Sequence, residues 1–197
     1  MSGGVIAYLG VDPSASNTGA CALAEDGSLL FYADCGQGKR KGPSSVASHL
    51  AQAELLAGLL ALYELKAVAW ENYSFNSQHR AYTLAECNGI LKAAVWRLFG
   101  KPFTYVAPAE LKKFAVGNGM AGKEAMMAQA KAECPELPED ASSDVCDAYF
   151  LAKLGWHMDD AQRAASLEKG NSYLRTRVAL AKKIRDALYA PEGRKHS

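Results

Sequence analysis

Short apolar runs bounded by turn residues recur along the chain and predict β-strands. There are five such runs: VIAYLGV at 5–11, GACALAE at 19–25, SLLFYADC at 28–35, AVAWE at 67–71 and FTYV at 103–106. Asp26-Gly27, between the second and third runs, is typical of a hairpin turn. The first three strands are therefore expected to follow one another directly and to pair antiparallel.

Apolar residues at helical spacing follow these strands. One helix is expected to begin after Ser44 or Ser45, and it carries leucines at positions 50, 55, 59 and 62. A longer helix is expected over about 79–98. Its apolar stripe consists of Leu84, Ile90, Leu91, Val95 and Leu98. We expect the first helix to cross back over the sheet.

The remaining core pattern is also helical. It begins after Pro108, breaks at the Gly-Asn-Gly of 117–119, resumes at about Lys123 and ends at two prolines, 135 and 138. Ser142 or Ser143 can cap a last core helix, SDVCDAYFLAKL. The order β-β-β-α-β-α-β-α predicts an α/β fold with helices flanking a mixed five-stranded sheet, which is the RNase H-like arrangement.

Composition places the chain among ordinary globular proteins, with 49% apolar and 22% charged residues. No apolar run approaches the roughly 18 to 20 residues that cross a bilayer, and the amino end lacks a signal-peptide pattern. The five cysteines are scattered without a CxxC pair or a Cys/His cluster, which indicates neither a disulfide framework nor a zinc site. We therefore expect a cytoplasmic protein.

The net charge of +1 conceals an uneven distribution along the chain. From Arg163 to the end, nine Lys or Arg and three Asp or Glu give +6, which leaves the preceding body at −5. In that basic segment, apolar residues at 174, 178, 181, 184 and 188 recur at helical spacing. We expect an RNase H-like domain over residues 1–156 and a basic helical extension over residues 157–197.

Four acidic residues lie where such a fold would direct them toward one cleft. Asp12 and Glu71 each close an apolar strand, and neighbouring parallel strands end at the same edge of a sheet. Asp144 and Asp147 are three residues apart near a helix start, so they share one helix face. Taken singly, Asp12 can be a turn residue, and the pair can be helix-start charges. Glu71 is harder to explain structurally, because an unpaired charge at the end of a buried strand costs energy.

Converging carboxylates repel one another unless a cation neutralises them. Mg²⁺ prefers oxygen ligands and binds through a few carboxylates together with substrate phosphates. Two such ions roughly 4 Å apart can activate water and stabilise the leaving oxygen of a phosphodiester. The pattern therefore predicts a hydrolytic site with two Mg²⁺ ions, for which Mn²⁺ is the alternative metal.

Four segments together resemble RuvC-type Holliday junction resolvases. IAYLGVDPSASNTGACAL resembles the first motif of that family, with Ser14 in place of the usual Gly. AVAWENYSF resembles the second motif with its strand-ending Glu, and SSDVCDAYFLAKL resembles the last. AELKKFAVGNGMAGKEAM, from Ala109, resembles the segment with one lysine before a Gly-x-Gly loop and another after it. The motifs occur in the family's order, and the likeness covers about residues 5–155.

The resemblance implies a homodimer that acts in DNA recombination and repair. Such a dimer binds a four-way DNA junction and nicks two opposing strands symmetrically, leaving 5′-phosphate and 3′-hydroxyl ends. The resemblance makes Asp12, Glu71, Asp144 and Asp147 the catalytic metal ligands, Lys123 a catalytic phosphate contact, and Lys112 and Lys113 further DNA contacts. An aromatic residue after the second motif stacks on junction bases in this family. Tyr73 and Phe75 are the candidates here, with Ser74 at the family's offset.

Three other functions stay open at this point. VDPSASNTG loosely resembles the phosphate loop of actin-like ATPases and kinases, although those proteins lack the DxxD helix and are generally longer. A non-catalytic junction-binding relative would not need all four acids. An RNase H-fold nuclease acting on flaps, forks or RNA–DNA hybrids would carry the same acids, and the sequence does not separate it from a resolvase.

Overall fold

A computed structural model describes residues 4–36, 46–72 and 81–159. The strands are β1 (Val5–Asp12), β2 (Gly19–Leu23), β3 (Leu29–Asp34), β4 (Tyr63–Glu71) and β5 (Thr104–Val106). The helices are α1 (Val46–Leu60), α2 (Ala81–Phe99), α3 (Pro108–Val116), α4 (Lys123–Glu133) and α5 (Ser143–Asp159). This confirms the predicted order of elements. None of the described helices has both the length and the apolar character that a membrane crossing requires.

The five strands form one mixed sheet in the order β3-β2-β1-β4-β5. β1 pairs antiparallel with β2, and β2 pairs antiparallel with β3. β4 pairs parallel with both β1 and β5. Val11 of β1 lies beside Trp70 of β4, so the next residue of each strand, Asp12 and Glu71, ends its strand at the same edge of the sheet.

Alternation along β1 assigns its side chains to two faces. Ala7, Leu9 and Val11 belong to a core cluster that also contains Leu56 of α1 and Leu91 of α2. Alternate residues, including Gly10 and Asp12, therefore point to the opposite face. Helix α5 covers that face.

Two glycines allow α5 to lie very close to the sheet. A Cβ on Gly10 would overlap the carbonyl oxygen of Ala148 and the amide nitrogen of Ala152. A Cβ on Gly19, the cross-strand partner of Asp12, would overlap the backbone of Asp144. The backbone at the start of α5 therefore packs directly against β2, beside the end of β1.

Two features at the ends of elements fix the orientation of β4 and the start of α5. The buried Trp70 side chain donates from Nε1 to Asn88 of α2 at 2.8 Å, which places the neighbouring residue Glu71 on the α5 face. Ser142 accepts the Val145 N–H at 3.1 Å on its Oγ, so Ser142 is the N-cap of α5. Of the two predicted serine caps, the structure selects the first.

The leucines that marked α1 in the sequence do not form its inward face. Leu50 and Leu55 are each 46% exposed, and Leu62 lies beyond the helix and is 73% exposed. The buried side is formed by His49, Gln52, Ala53, Leu56 and Leu60. The predicted helix is present, but leucines occur on more than one side of it, and its inward face includes a glutamine that binds the β1–β2 loop.

The stripe predicted for α2 is confirmed in its centre and wrong at its end. Leu91 and Val95 are buried, whereas Leu98 is 46% exposed. Cys87 and Asn88 take buried positions instead. Asn88 is tolerated there because it receives the Trp70 indole hydrogen bond.

The chain divides into one compact unit over Met1–Trp156 and another over His157–Ser197. Residues from 160 onward lie outside the described ranges. The basic helical extension is therefore still a prediction, as is the capping of α1 by Ser44 or Ser45.

Candidate active site

Asp12 and Glu71 meet at the carboxyl ends of the parallel strands β1 and β4. A hydrogen bond joins their side chains, and its effect is to raise the pKa of Asp12 and to lower that of Glu71. These directions favour protonation of the pair, because burial and the nearby like charges both disfavour two ionised carboxylates here. Asp12 is 8% exposed and Glu71 is half-buried, so the two strand ends hold a largely desolvated acid pair.

Asp144 and Asp147 reach the same place from the first turns of α5. Both are half-buried. The charges of both raise the pKa of Asp12, and the charge of Glu71 raises the pKa of Asp147. The structure therefore brings the four predicted carboxylates into one electrostatic group.

Burial is the largest cause of the raised pKa at each of the four carboxyl groups, and mutual repulsion adds to it at Asp12, Glu71 and Asp147. The pKa of Asp12 is raised well above its ordinary value, and that of Asp147 is raised to about 7. At Asp144 a hydrogen bond from Ser143 and the charge of Lys123 act in the opposite direction. Without a bound cation, the protein thus favours the protonated form of these carboxyl groups, which ionise readily in water.

The donor set fits a hard divalent cation. It offers four carboxylates, and Oδ1 of Asp147 is buried without a hydrogen-bond partner. Within the described residues, however, no three His, Cys, Asp or Glu side chains are already spaced as a metal cluster. The carboxylates influence one another's pKa in this structure, and coordination of an ion would require their oxygens to converge further.

Two of the three predicted lysines lie near the carboxylates. The charges of Lys112 on α3 and Lys123 on α4 lower the pKa of Glu71 and of Asp147. Lys123 also donates from Nζ to Ser143 Oγ at 3.2 Å, and Ser143 Oγ donates to Asp144 Oδ1 at 3.1 Å. Lys113 lies about 100° around α3 from Lys112.

The turn between α3 and α4 is what brings these two lysines together. Gly117 has a φ of 76°, a left-handed conformation that favours glycine, and its N–H bonds the carbonyl of Lys113 to end α3. A Cβ on Gly119 would press against the carbonyl oxygen of Ala109 at 2.9 Å. The glycines predicted as a helix break therefore allow a tight turn before Lys123 begins α4.

The loop that follows Asp12 is anchored from α1. Buried Gln52 accepts the Thr18 N–H at 3.0 Å on Oε1 and donates from Nε2 to the carbonyl of Ala15 at 3.2 Å. Inside the loop, the hydroxyl of Thr18 donates to the carbonyl of Ser14 at 3.2 Å. These bonds explain why a glutamine occupies the inward face of α1.

Sequence reasoning missed Asp34, Ser143 and Gln52. Asp34 ends β3, and its charge raises the pKa of Asp144, so a fifth acid lies beside the four. Its signal was present, because SLLFYAD places an acid at a strand end just as VIAYLGVD and AVAWE do. Gln52 carried no comparable signal within a leucine-rich helix. Tyr73 and Phe75, the predicted stacking aromatics, lie outside the described residues.

Comparison with known proteins finds one family over most of the chain. Residues 8–153 match the family described as "Crossover junction endodeoxyribonuclease RuvC". A protein of that name from Methylocella silvestris is 31% identical over 154 residues, which span 77% of this chain and 86% of the relative. Another from Bradyrhizobium sp. (strain ORS 278) is 32% identical over 149 residues, covering 75% of this chain and 84% of the relative.

Solved structures give the same fold. The Thermus thermophilus RuvC complex with a Holliday junction substrate aligns with a TM-score of 0.58 at 22% identity, over 78% of this chain and 92% of that one. A second Thermus thermophilus RuvC structure aligns with a TM-score of 0.57 at 22% identity, over 81% and 95%. The fold is RNase H-like, as the order of elements predicted.

The pKa shifts predict that the metal-free protein loses stability between about pH 5 and pH 8. Because the folded-state pKa values of these acids are raised, the folded protein binds more protons than the unfolded chain above about pH 4, where carboxyl groups ordinarily titrate. The contribution of these protonated acids to the free energy of unfolding is fully present below that pH. It is lost as pH rises through the folded-state pKa of about 7 at Asp147. Melting temperatures in EDTA across this range will measure it.

Asp147→Asn should flatten this pH dependence, whereas Asp140→Asn, at an exposed position, should leave it as in the wild type. A wild-type profile that matches the Asp147→Asn profile would contradict the assigned electrostatics.

Proposed function

Because this chain belongs to the RuvC family of crossover junction endodeoxyribonucleases, we propose that it resolves four-way DNA junctions by Mg²⁺-dependent nicking of two opposing strands. The observation that carries this proposal is the meeting of Asp12, Glu71, Asp144 and Asp147 at one sheet edge, with Lys112 and Lys123 beside them. A non-catalytic relative would have no reason to keep four mutually repelling acids together, since they destabilise the fold at neutral pH.

Asp12, Glu71, Asp144 and Asp147 are the residues that would hold Mg²⁺. When bound, Mg²⁺ supplies positive charge that favours ionised water as a nucleophile and stabilises the leaving oxygen. Two ions per site fit a reaction for which the chain offers no side-chain nucleophile among these residues. Mn²⁺ prefers similar oxygen ligands and is expected to substitute.

The chain's own residues contribute charge, orientation and proton release. Because the pKa values of Asp12 and Asp147 are raised, metal binding must compete with their protonation, which couples it to pH. Lys112 and Lys123 place positive charge beside the acids. A DNA phosphate bound there would replace the acids as the partner of these two charges. Ser143 holds Lys123 by a 3.2 Å hydrogen bond and so orients its ammonium relative to Asp144.

The reaction is a hydrolysis of one phosphodiester bond in each opposing strand. The water oxygen loses a proton and bonds to phosphorus, the bond from phosphorus to O3′ breaks, and the leaving O3′ atom takes a proton. The products are a 5′-phosphate and a 3′-hydroxyl, which a ligase can rejoin. We propose that a homodimer acts on the junction, because two symmetric sites suit two equivalent cuts. With such a substrate, we expect the enzyme to act in the cytoplasm, in DNA recombination and repair.

Asp12→Asn and Asp147→Asn are each expected to abolish nicking while leaving junction binding largely intact. Loss of several kcal/mol of transition-state stabilisation corresponds to a rate loss of about a thousandfold or more. The assay offers labelled four-way, fork, flap and linear DNA to the protein with Mg²⁺ or EDTA. Binding is followed separately by mobility shift.

In this assay, the wild type should make paired symmetric nicks in the four-way junction with Mg²⁺ and none with EDTA. Asp26→Asn, at the far end of the β2–β3 hairpin, is the matched control and should behave as the wild type. Preferential cutting of flaps or forks would replace the resolvase assignment, and full nicking by either site variant would remove these acids from the mechanism.

Lys123→Ala is expected to slow nicking about tenfold to a hundredfold, with junction affinity reduced by less than that, since its charge lies beside the reacting phosphate. Lys113→Ala removes the same charge one position from Lys112 and should change the nicking rate by less than about twofold. Single-turnover rates at saturating protein separate the two effects. Equal loss in both variants, or a loss confined to affinity, would assign Lys123 to general attraction of DNA.

A further inference from the structure

We propose that Asp34 is a positioning residue that joins the loop after Asp12 to the start of α5 and so fixes the spacing between the two halves of the carboxylate cluster. This inference rests on the proposed function, because the spacing of the carboxylates matters only if they bind a metal. One half of the cluster, Asp12 and Glu71, is carried by strands, and the other, Asp144 and Asp147, by α5. Asp34 ends β3 and belongs to neither half.

The first contact of Asp34 is with Asn17 in the β1–β2 loop. Asn17 donates from Nδ2 to Asp34 Oδ1 at 2.7 Å. At its other end, Asn17 Oδ1 accepts the Gly36 N–H at 2.8 Å. Because the Gly36 N–H occupies the amide oxygen, the amide nitrogen must face Asp34, so both ends of Asn17 are fixed.

The second contact is with the cap of α5. The Ser142 hydroxyl donates to the same atom, Asp34 Oδ1, at 2.5 Å. A serine hydroxyl has a single hydrogen, so the bond to Asp34 leaves the Ser142 oxygen lone pairs free for the Val145 N–H at 3.1 Å. The Asp34 carboxylate therefore orients the hydroxyl that begins the helix carrying Asp144 and Asp147.

These two contacts complement the close packing of α5. Packing against Gly10 and Gly19 determines how near α5 lies to the sheet. The directional bonds through Asp34 tie its first turn to the loop that follows Asp12. Mg²⁺ demands near-ideal octahedral geometry at roughly 2.0–2.1 Å. A small displacement of one acid pair relative to the other would therefore weaken the metal site without unfolding the protein.

Asp34 is assigned to positioning because its Oδ1 joins the loop residue Asn17 to the helix cap Ser142, and the variants below distinguish this role from metal binding through Oδ2. It is near enough to the cluster for its charge to raise the pKa of Asp144. Asp34 is itself exposed, so the loss of its bonds should have a moderate effect.

The test measures metal affinity in two ways. Manganese binding to the protein without DNA is titrated by electron paramagnetic resonance, and the Mg²⁺ concentration that gives half-maximal nicking of a four-way junction is measured in parallel. Asp34→Ala and Ser142→Ala should each raise the manganese dissociation constant and the half-maximal Mg²⁺ concentration about three- to tenfold. This is the lower end of the losses seen when groups that support metal ligands are removed. The double variant should be no worse than the more affected single variant.

Two conservative variants should restore the function. Ser142→Thr keeps the hydroxyl and Asp34→Asn keeps an oxygen acceptor, so both should bind manganese more tightly than the matching alanine variant. Asp26→Asn is the matched control, because Asp26 also accepts two hydrogen bonds, from the N–H and hydroxyl of Ser28, at the opposite end of the same hairpin. Asp26→Asn should leave the manganese dissociation constant and the half-maximal Mg²⁺ concentration unchanged.

The proposal is overturned if Asp34→Ala binds manganese like the wild type, or if Ser142→Ala does so while Asp34→Ala is impaired, which would make Asp34 a ligand. Additive effects in the double variant would also overturn it. If circular dichroism shows that Asp34→Ala does not fold, the comparison of Ser142→Ala with Ser142→Thr decides. A wild type that binds manganese but nicks no junction would refute the proposed function, and the manganese titrations would still judge Asp34.

Discussion

Repulsion among buried carboxylates is the constraint on which the rest of this structure depends. Asp12 is almost fully buried, and Glu71, Asp144 and Asp147 are half-buried around it. Ordinary folding would disperse such acids, since each loses hydration and gains a like-charged neighbour. Here the pKa of all four is raised, so protonation is one way in which the repulsion can be lowered. Cations are the other means of relief, and they bring catalysis with them.

The scaffold holds these four acids close to one another despite their repulsion. Parallel pairing of β1 and β4 sets Asp12 beside Glu71, and Gly10 and Gly19 admit α5 at a depth that no larger residue would permit. Gln52 fastens the β1–β2 loop from the opposite side of the sheet. The tight turn after α3 then directs Lys123 toward the acids it partly neutralises. Residues that carry no chemistry thus decide where the chemistry can occur.

Much of this arrangement could be predicted from the sequence because it depends on local patterns. Apolar runs ended by Asp12 and Glu71 predicted both the strands and the edge they share, and the DxxD spacing predicted one helix face. The inward face of α1 could not be predicted, because its leucines are distributed around the helix while Gln52 is selected by a loop distant in sequence. Asp34 carried a strand-end signal, but its positioning role could not be predicted, because that role arises from Asn17 and Ser142, which only the folded chain brings to it.

The most direct test of the central claim is to locate the metal itself. Crystals of the protein soaked in MnCl₂ near pH 8 and measured at the manganese absorption edge should show anomalous peaks within about 2.3 Å of carboxylate oxygens from Asp12 and from at least one of Asp144 and Asp147. Peaks found only elsewhere on the surface, or an unchanged Asp12–Glu71 hydrogen bond with no manganese beside it, would contradict the account.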